Sequence, residues 1–206
     1  GMTRKNALAG LYSGGGKGVM ARPVGVDFKD PEVRRYLFEE YGKFVTSLRG
    51  CYVTAEDVGT RPEDVGSIFR WTRFAVSIPQ SVGGSGNPSV PTARGIVSGM
   101  EAAMNFLDGS PSLAGKTIAI QGLGHVGGSM AEFLLDRKVK SIVACDIDPE
   151  LVAAMNDRFK GRPFQARAVA RDDDSILGEK VDIFAPCATG GILNPKTIPL
   201  LKIRVV

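Results

Sequence analysis

The string Lys116-Thr-Ile-Ala-Ile-Gln-Gly-Leu-Gly-His-Val-Gly-Gly128 restricts the fold of this chain more than any other stretch. Residues 117–121 form a short apolar run rich in β-branched side chains, the pattern of a buried strand. That run enters Gly122-Leu-Gly124-His-Val-Gly127, after which Val126, Met130, Phe133 and Leu134 fall at helical spacing. A Gly-x-Gly-x-x-Gly match carries meaning only between a strand and a helix, and both flank it here. In that setting Gly122 permits a tight turn, Gly124 lets backbone approach a pyrophosphate, and Gly127 lets the helix close on the strand. The free N–H groups at the helix start then face phosphate oxygens at the positive end of the helix dipole.

The second half of a dinucleotide fingerprint follows. Residues 141–145 read as another strand, and Asp146 stands at its end, about 20 residues past the last glycine, where an acid hydrogen-bonds an adenosine ribose. A carboxylate there repels a 2′-phosphate, which favours NAD over NADP. The alternative is a glycine turn in an ordinary α/β sheet, with Asp146 or Asp148 capping the next helix.

The pattern after the Asp108-Gly-Ser-Pro-Ser112 loop alternates strand and helix. Strands are expected near 117–121, 141–146, 167–170, 182–186 and 203–206. Asp148-Pro149 opens one helix and Asn194-Pro195 the last. Such alternation predicts an α/β fold, a doubly wound (Rossmann) parallel sheet with helices on its faces. Two domains are expected, residues 1–110 as a substrate or catalytic domain and 111–206 as the dinucleotide-binding domain. A full doubly wound domain has two βαβαβ halves, so both domains are expected to be partial.

The first half is less regular. Residues 7–12 read as a strand. Asp30-Pro31 caps a helix whose apolar face is Val33, Leu37, Tyr41, Phe44 and Leu48, ended by Gly50. Residues 51–54 read as a short strand, and Thr60-Arg-Pro-Glu63 as a capping box for a helix with Val65, Ile68 and Phe69 inward. A Pro-, Ser-, Gly- and Asn-rich loop spans 79–91, and a helix from about Thr92 to Phe106 aligns Ile96, Met100 and Met104.

Bulk properties exclude several classes of function. The net charge of +4 is spread among interleaved acids and bases, without the basic, aromatic-studded stripe of a nucleic-acid binder. No apolar run reaches the ~18 residues of a membrane span, and the polar, basic start lacks the apolar core of a signal peptide. Three cysteines far apart (Cys51, Cys145, Cys187) read as reduced thiols of a cytoplasmic protein, and a lone histidine, His125, builds no zinc site, so no metal is expected.

A second chemical signal is Ser13-Gly-Gly-Gly-Lys17-Gly18. A phosphate loop would place Ser or Thr after the lysine, where Gly18 stands. A better reading is a lysine buried beside a substrate and near a second cation, Lys5, a setting that favours the neutral amine and suits a base. The other reading is a surface loop with two solvated lysines. Asp57, in Thr54-Ala-Glu-Asp-Val-Gly-Thr60, follows a strand-like run and could shuttle a proton, or it forms an Asx turn before the capped helix. Ala55 leaves room in an adjacent pocket.

Met2-Thr-Arg-Lys-Asn-Ala-Leu-Ala-Gly10, Ser13–Gly18, Tyr52–Thr60, Gly84-Ser-Gly-Asn-Pro-Ser89, Gln121–Gly127 and Asp182-Ile-Phe-Ala-Pro-Cys-Ala188 resemble successive motifs of the glutamate, leucine, phenylalanine and valine dehydrogenases. The 54–60 string most resembles leucine dehydrogenase. The resemblance implies that Lys5 binds the substrate α-carboxylate, Lys17 activates the attacking water and Asp57 exchanges a proton with the amine. It places Thr92 near the nicotinamide, and Gly122, Gly124, His125, Val126, Gly127, Asp146, Cys187 and Ala188 at the NAD. The implied reaction is oxidative deamination of a branched-chain, leucine-like L-amino acid, with the substrate held in a cleft between domains.

Arg4 stands where that family usually has an aromatic, and His125 where asparagine is common in leucine dehydrogenases. Family portions before and after this chain are missing, so it is expected to be truncated at both ends. A catalytically silent dinucleotide-binding fragment, or a glutamate, phenylalanine or valine dehydrogenase, is the alternative. A partial substrate domain would expose apolar surface, so a homo-oligomer, dimer or larger, is expected.

Overall fold

The computed structural model describes residues 1–21 and 24–206, which divide into two units, Gly1–Pro88 and Ser89–Val206. The division falls one helix earlier than the loop at 108–112 suggested. Helix α4 (Ser89–Asp108) packs on helix α5 (His125–Asp136) and shares its apolar cluster, so it belongs with the second unit.

In the first unit, α1 (Met2–Leu8) is a helix where residues 7–12 suggested a strand. It buries none of its residues, so no apolar period betrayed it. Helix α2 (Pro31–Ser47) starts where expected, with the Asp30 carboxylate accepting the Glu32 amide at 2.9 Å. Its buried face is Phe38, Gly42 and Val45, not the stripe through Phe44, which is exposed. The reason is Gly42: a Cβ there would lie 2.7 Å from the Ile68 carbonyl oxygen, so the missing side chain lets α2 close on helix α3 (Pro62–Phe69). Helix α3 buries Val65 and Ile68 but leaves Phe69 partly exposed. Its cap is shifted by one residue, since the Asp64 carboxylate accepts the Arg61 amide at 2.7 Å. That carboxylate also pairs with Arg34 across the two helices. The strand expected at 51–54 is reduced to one parallel bridge, Thr54 to Ala75.

The second unit holds strands β1 (Thr117–Gln121), β2 (Ser141–Asp146), β3 (Phe164–Ala168) and β4 (Ile183–Pro186), all parallel, in the order β3-β2-β1-β4. Helices α5 and α6 (Pro149–Arg158) carry the crossovers on one face. There Ile118, Ile120, Ile142 and Ala144 pack with Met130, Leu134, Met155 and the α4 side chains Val97 and Met104. On the other face Ala119, Cys145 and Phe184 meet Ile176 and Leu177 of a short 3-10 turn. Strand β3 begins three residues before the expected span. As an edge strand paired only with β2, it alternates Phe, Gln, Ala, Arg, Ala instead of running apolar. The last expected helix is a short 3-10 turn, Ile198–Leu200. Asn194 folds its side chain back to accept the Lys196 amide, which makes a turn where a helix start was expected. Residues 203–206 contribute a single bridge, Ile183 to Val205.

Candidate functional site

In the first unit a cavity of about 500 Å³ is walled by Met20, Phe28, Phe38, Ala55 and Ile68, with Lys17 and Asp57 among its polar lining. The Asp57 turn aims the carboxylate. The Asp57 amide donates to Thr60 Oγ1 at 2.7 Å, and Asp57 Oδ1 accepts the Val58 amide at 2.7 Å. This leaves Oδ2 for an ion pair with Lys17 Nζ. Both the turn and the convergence on the lysine are therefore present in one residue. The pair is 55% and 52% exposed, so Lys17 is not the buried lysine that the sequence suggested.

Residues 13–18 form neither helix nor strand, and the described residues between them and α2 form no helix, whereas a phosphate loop runs straight into one. The Asn6 side chain donates to the Ser13 and Gly14 carbonyls at 3.2 and 2.6 Å, and the Gly18 amide donates to the Tyr52 hydroxyl at 2.9 Å. Tyr41 lies 3.4 Å, hydroxyl to hydroxyl, from Thr54. Burial pushes the Tyr41 phenol up, with Tyr52 adding to the rise. Burial acts the same way on Tyr52. There it is outweighed by hydrogen bonds from Thr54, Tyr41 and the Gly18 amide and by the Lys17 charge, which hold that phenol below the ordinary tyrosine value. Tyr41 and Tyr52 are site residues that the sequence did not single out. Lys5 is exposed on α1 and is not part of the cavity wall, although Met2 of the same helix is.

In the second unit β1 runs into the glycine turn at the carboxyl end of the sheet. Gly122 has φ +94°, and a Cβ there would meet the Ala188 amide nitrogen at 2.8 Å. A Cβ on Gly127 would overlap the Gly122 carbonyl oxygen. Gly124 opens α5 and faces empty space, with nothing within 4 Å of its absent Cβ. This arrangement fits a dinucleotide pyrophosphate, because two glycines draw the helix onto the strand and the third leaves bare backbone at a helix N-terminus. The place fits as well. Strand order reverses between β1 and β4, and the carboxyl ends at such a switch point form the ligand crevice of open α/β sheets. Asp146 Oδ2 accepts the Leu123 amide at 2.7 Å and Oδ1 the Asp148 amide at 3.0 Å, so the carboxylate is tied to the glycine turn. Asp148, not Asp146, caps α6. Cys187 joins the turn through its amide, which donates to the Gln121 carbonyl at 2.7 Å, and burial pushes its thiol up to about 11. His125 and Ala188 are exposed, Val126 half-buried, and Thr92 exposed in the first turn of α4. Among the described residues no cluster of three or more His, Cys, Asp or Glu is placed to hold a metal. None of the helices they form is long and apolar enough to cross a membrane.

Residues 83–206 match the family described as Glutamate/Leucine/Phenylalanine/Valine dehydrogenase, and residues 1–74 match its dimerisation domain. The chain belongs to this dehydrogenase family. It is 44% identical over its whole length to the leucine dehydrogenase of Geobacillus stearothermophilus, covering 53% of that protein. It is 41% identical to the phenylalanine dehydrogenase of Caldalkalibacillus thermarum, covering 54%. Its fold matches the crystal structure of L-tryptophan dehydrogenase from Nostoc punctiforme with a TM-score of 0.67 at 33% identity, over all of this chain and 55% of that one. The chain thus spans about half the length of the relatives it matches. Relatives named for leucine and for phenylalanine stand at similar identity, so membership alone does not select a substrate.

Proposed function

We propose that the chain takes part in NAD-dependent oxidative deamination of a branched-chain, leucine-like L-amino acid. The balanced reaction is L-amino acid + NAD⁺ + H₂O → 2-oxo acid + NH₄⁺ + NADH + H⁺. The observation that carries the proposal is the meeting of Lys17 and Asp57 beside an apolar cavity, on segments 40 residues apart in sequence. A cation and an anion in contact supply a proton donor and a proton acceptor at one place, and apolar walls suit an aliphatic side chain. In this reading Lys17 activates the water that attacks the imino carbon, and Asp57 exchanges a proton with the substrate amine. Ala55 keeps room for the side chain, and the α-carboxylate is assigned to Lys5, which lies outside the cavity wall but on α1, whose Met2 lines it.

NAD, when bound, accepts the hydride from the substrate Cα. Gly122, Gly124, Gly127 and the amides of His125 and Val126 would hold its pyrophosphate, and Asp146 would receive the ribose and disfavour a 2′-phosphate. Thr92, Cys187 and Ala188 are assigned to its nicotinamide half. We assign the protein to the cytoplasm, where its three unpaired thiols would stay reduced. The match of residues 1–74 to a dimerisation domain supports a homo-oligomer.

The test is NADH formation with L-leucine, L-valine, L-phenylalanine and L-glutamate at alkaline pH, with Lys17→Ala beside the parent chain. Turnover fastest with leucine and abolished in the variant is expected. Turnover that survives Lys17→Ala contradicts the assignment. A preference for phenylalanine or glutamate refutes the aliphatic reading. Silence with every substrate, while NAD still binds, favours a dinucleotide-binding fragment.

A further inference from the structure

We propose that Tyr52 is the positioning residue of Lys17, its hydroxyl accepting the Gly18 amide and so fixing the peptide that follows the lysine. The catalytic consequence rests on the reading of Lys17 above, but the geometry does not. Lys17 stands between two glycines that both press on the Tyr52 side chain. A Cβ on Gly16 would lie 2.9 Å from Tyr52 Cδ2, and one on Gly18 would lie 3.1 Å from the Tyr52 hydroxyl. The Gly18 amide closes this clamp at 2.9 Å. Residues 13–18 have no helical or strand ladder to hold them, so a tether this close to the lysine bears directly on where its ammonium can reach.

The tether is anchored in firmer structure. Thr54, two residues on from Tyr52, exchanges backbone hydrogen bonds with residues 74 and 76, both at 2.9 Å. Tyr41 comes from α2 and reaches Thr54 through its hydroxyl. The Gly18–Tyr52 and Tyr41–Thr54 hydrogen bonds, joined through the short 52–54 segment, thus tie the lysine loop to α2 and the Thr54 bridge. The two glycines that flank Lys17, Gly16 and Gly18, are accounted for by this approach to the tyrosines, with no phosphate required. The titratable groups lining the cavity around Tyr52 are Tyr41, Glu56, Asp57 and Lys17.

The experiment follows the Gly18 amide by ¹⁵N–¹H correlation in the labelled chain through an alkaline titration. Ionised Tyr52 is a stronger acceptor, so the Gly18 amide proton is expected to move downfield with a midpoint below the usual tyrosine value of about 10. In Tyr52→Phe that titration vanishes, and Gly18 exchanges about fivefold faster with solvent, the effect of one lost hydrogen bond. In Tyr41→Phe the titration persists, which assigns it to Tyr52. A Gly18 amide whose titration and exchange ignore Tyr52→Phe overturns the proposal. If that variant loosens the whole unit, the parent chain decides: a Gly18 amide flat through the tyrosine range overturns it, and one that titrates supports it.

In turnover, Tyr52→Phe is expected to lower kcat about fivefold with KM for the amino acid within about twofold, because a misplaced lysine affects the reacting state more than binding. The two failures separate. Lys17→Ala turning over like the parent chain overturns the catalytic reading, whereas a Gly18 amide blind to Tyr52→Phe overturns the positioning.

Discussion

A Cβ added at Gly127 would run into the Gly122 carbonyl oxygen, whereas one added at Gly18 would run into the Tyr41 hydroxyl. The first obstacle is backbone inside a strand–turn–helix unit. The second is the tip of a side chain. Gly124, between the two obstructed glycines of its own turn, meets nothing at all. Glycine therefore occupies three different settings in one chain: close backbone packing, close approach to an aromatic, and bare backbone facing open space at a helix N-terminus. Substitution at each position separates these settings.

The largest effect is expected at Gly127→Ala. Neither α5 nor the turn can yield without losing the sheet contact, so the second unit should lose about 3 kcal/mol, read from amide exchange in β1 and β2. Gly124→Ala is the counterpart: stability within about 0.5 kcal/mol of the parent chain, with NADH affinity about tenfold weaker, or ~1.4 kcal/mol. Equal damage from both would break the distinction between packing and ligand glycines.

Gly18→Ala should be milder, about 2 kcal/mol in the first unit, because a hydroxyl can move where a backbone carbonyl cannot. Adding Tyr41→Phe removes the obstructing oxygen and should recover at least half of that loss, a coupling measurable as a double-mutant cycle on urea unfolding followed by Trp71 fluorescence. Strict additivity would mean that the tyrosines do not shape the loop.

Smaller still is Asp148→Ala, about 1 kcal/mol from the second unit through loss of the α6 cap. Acid sensitivity is the mildest test. Burial raises Asp182, but hydrogen bonds from the Thr117 amide and hydroxyl, with Lys116 and Arg204, outweigh it and hold the carboxyl below its ordinary value. Arg204 first and Lys116 second do the same to Asp108. A carboxyl depressed in the folded state stabilises above its unfolded value and loses that contribution as pH falls through the folded one. The second unit should therefore weaken below about pH 4, and Asp182→Asn should flatten that decline in a pH series of urea midpoints. An unchanged slope would remove Asp182 from the account.

The second unit was the more readable in sequence, and the reason is physical. Strands β1, β2 and β4 are buried on both faces and so run apolar, and Asp148-Pro149 and the glycine turn punctuate them. Strand β3 is an edge and α1 buries nothing, so neither carries the pattern that marks its element. Hydropathy alone misplaces the buried face of α2, because its closest approach to α3 is at Gly42, which has no side chain to count. In the sites, Lys17, Asp57 and the three turn glycines stood out by residue type and spacing. Tyr41 and Tyr52 did not, because their role depends on α2 and the 52–54 segment meeting at the lysine loop, a contact no local period encodes. Asn194-Pro195 suggested a helix from its cap alone, but Pro199, four residues after Pro195, lacks the backbone donor an α-helix needs there, and only a short 3-10 turn forms.

The most direct measurement is thermal unfolding of the second unit, followed at β1 and β2, with NAD or NADP added at equal concentration. A ligand that binds only the folded state raises the melting temperature. The account predicts a rise with NAD and little with NADP, since the Asp146 carboxylate sits at the turn where a 2′-phosphate would meet it. No rise with NAD, or an equal rise with NADP, would contradict it.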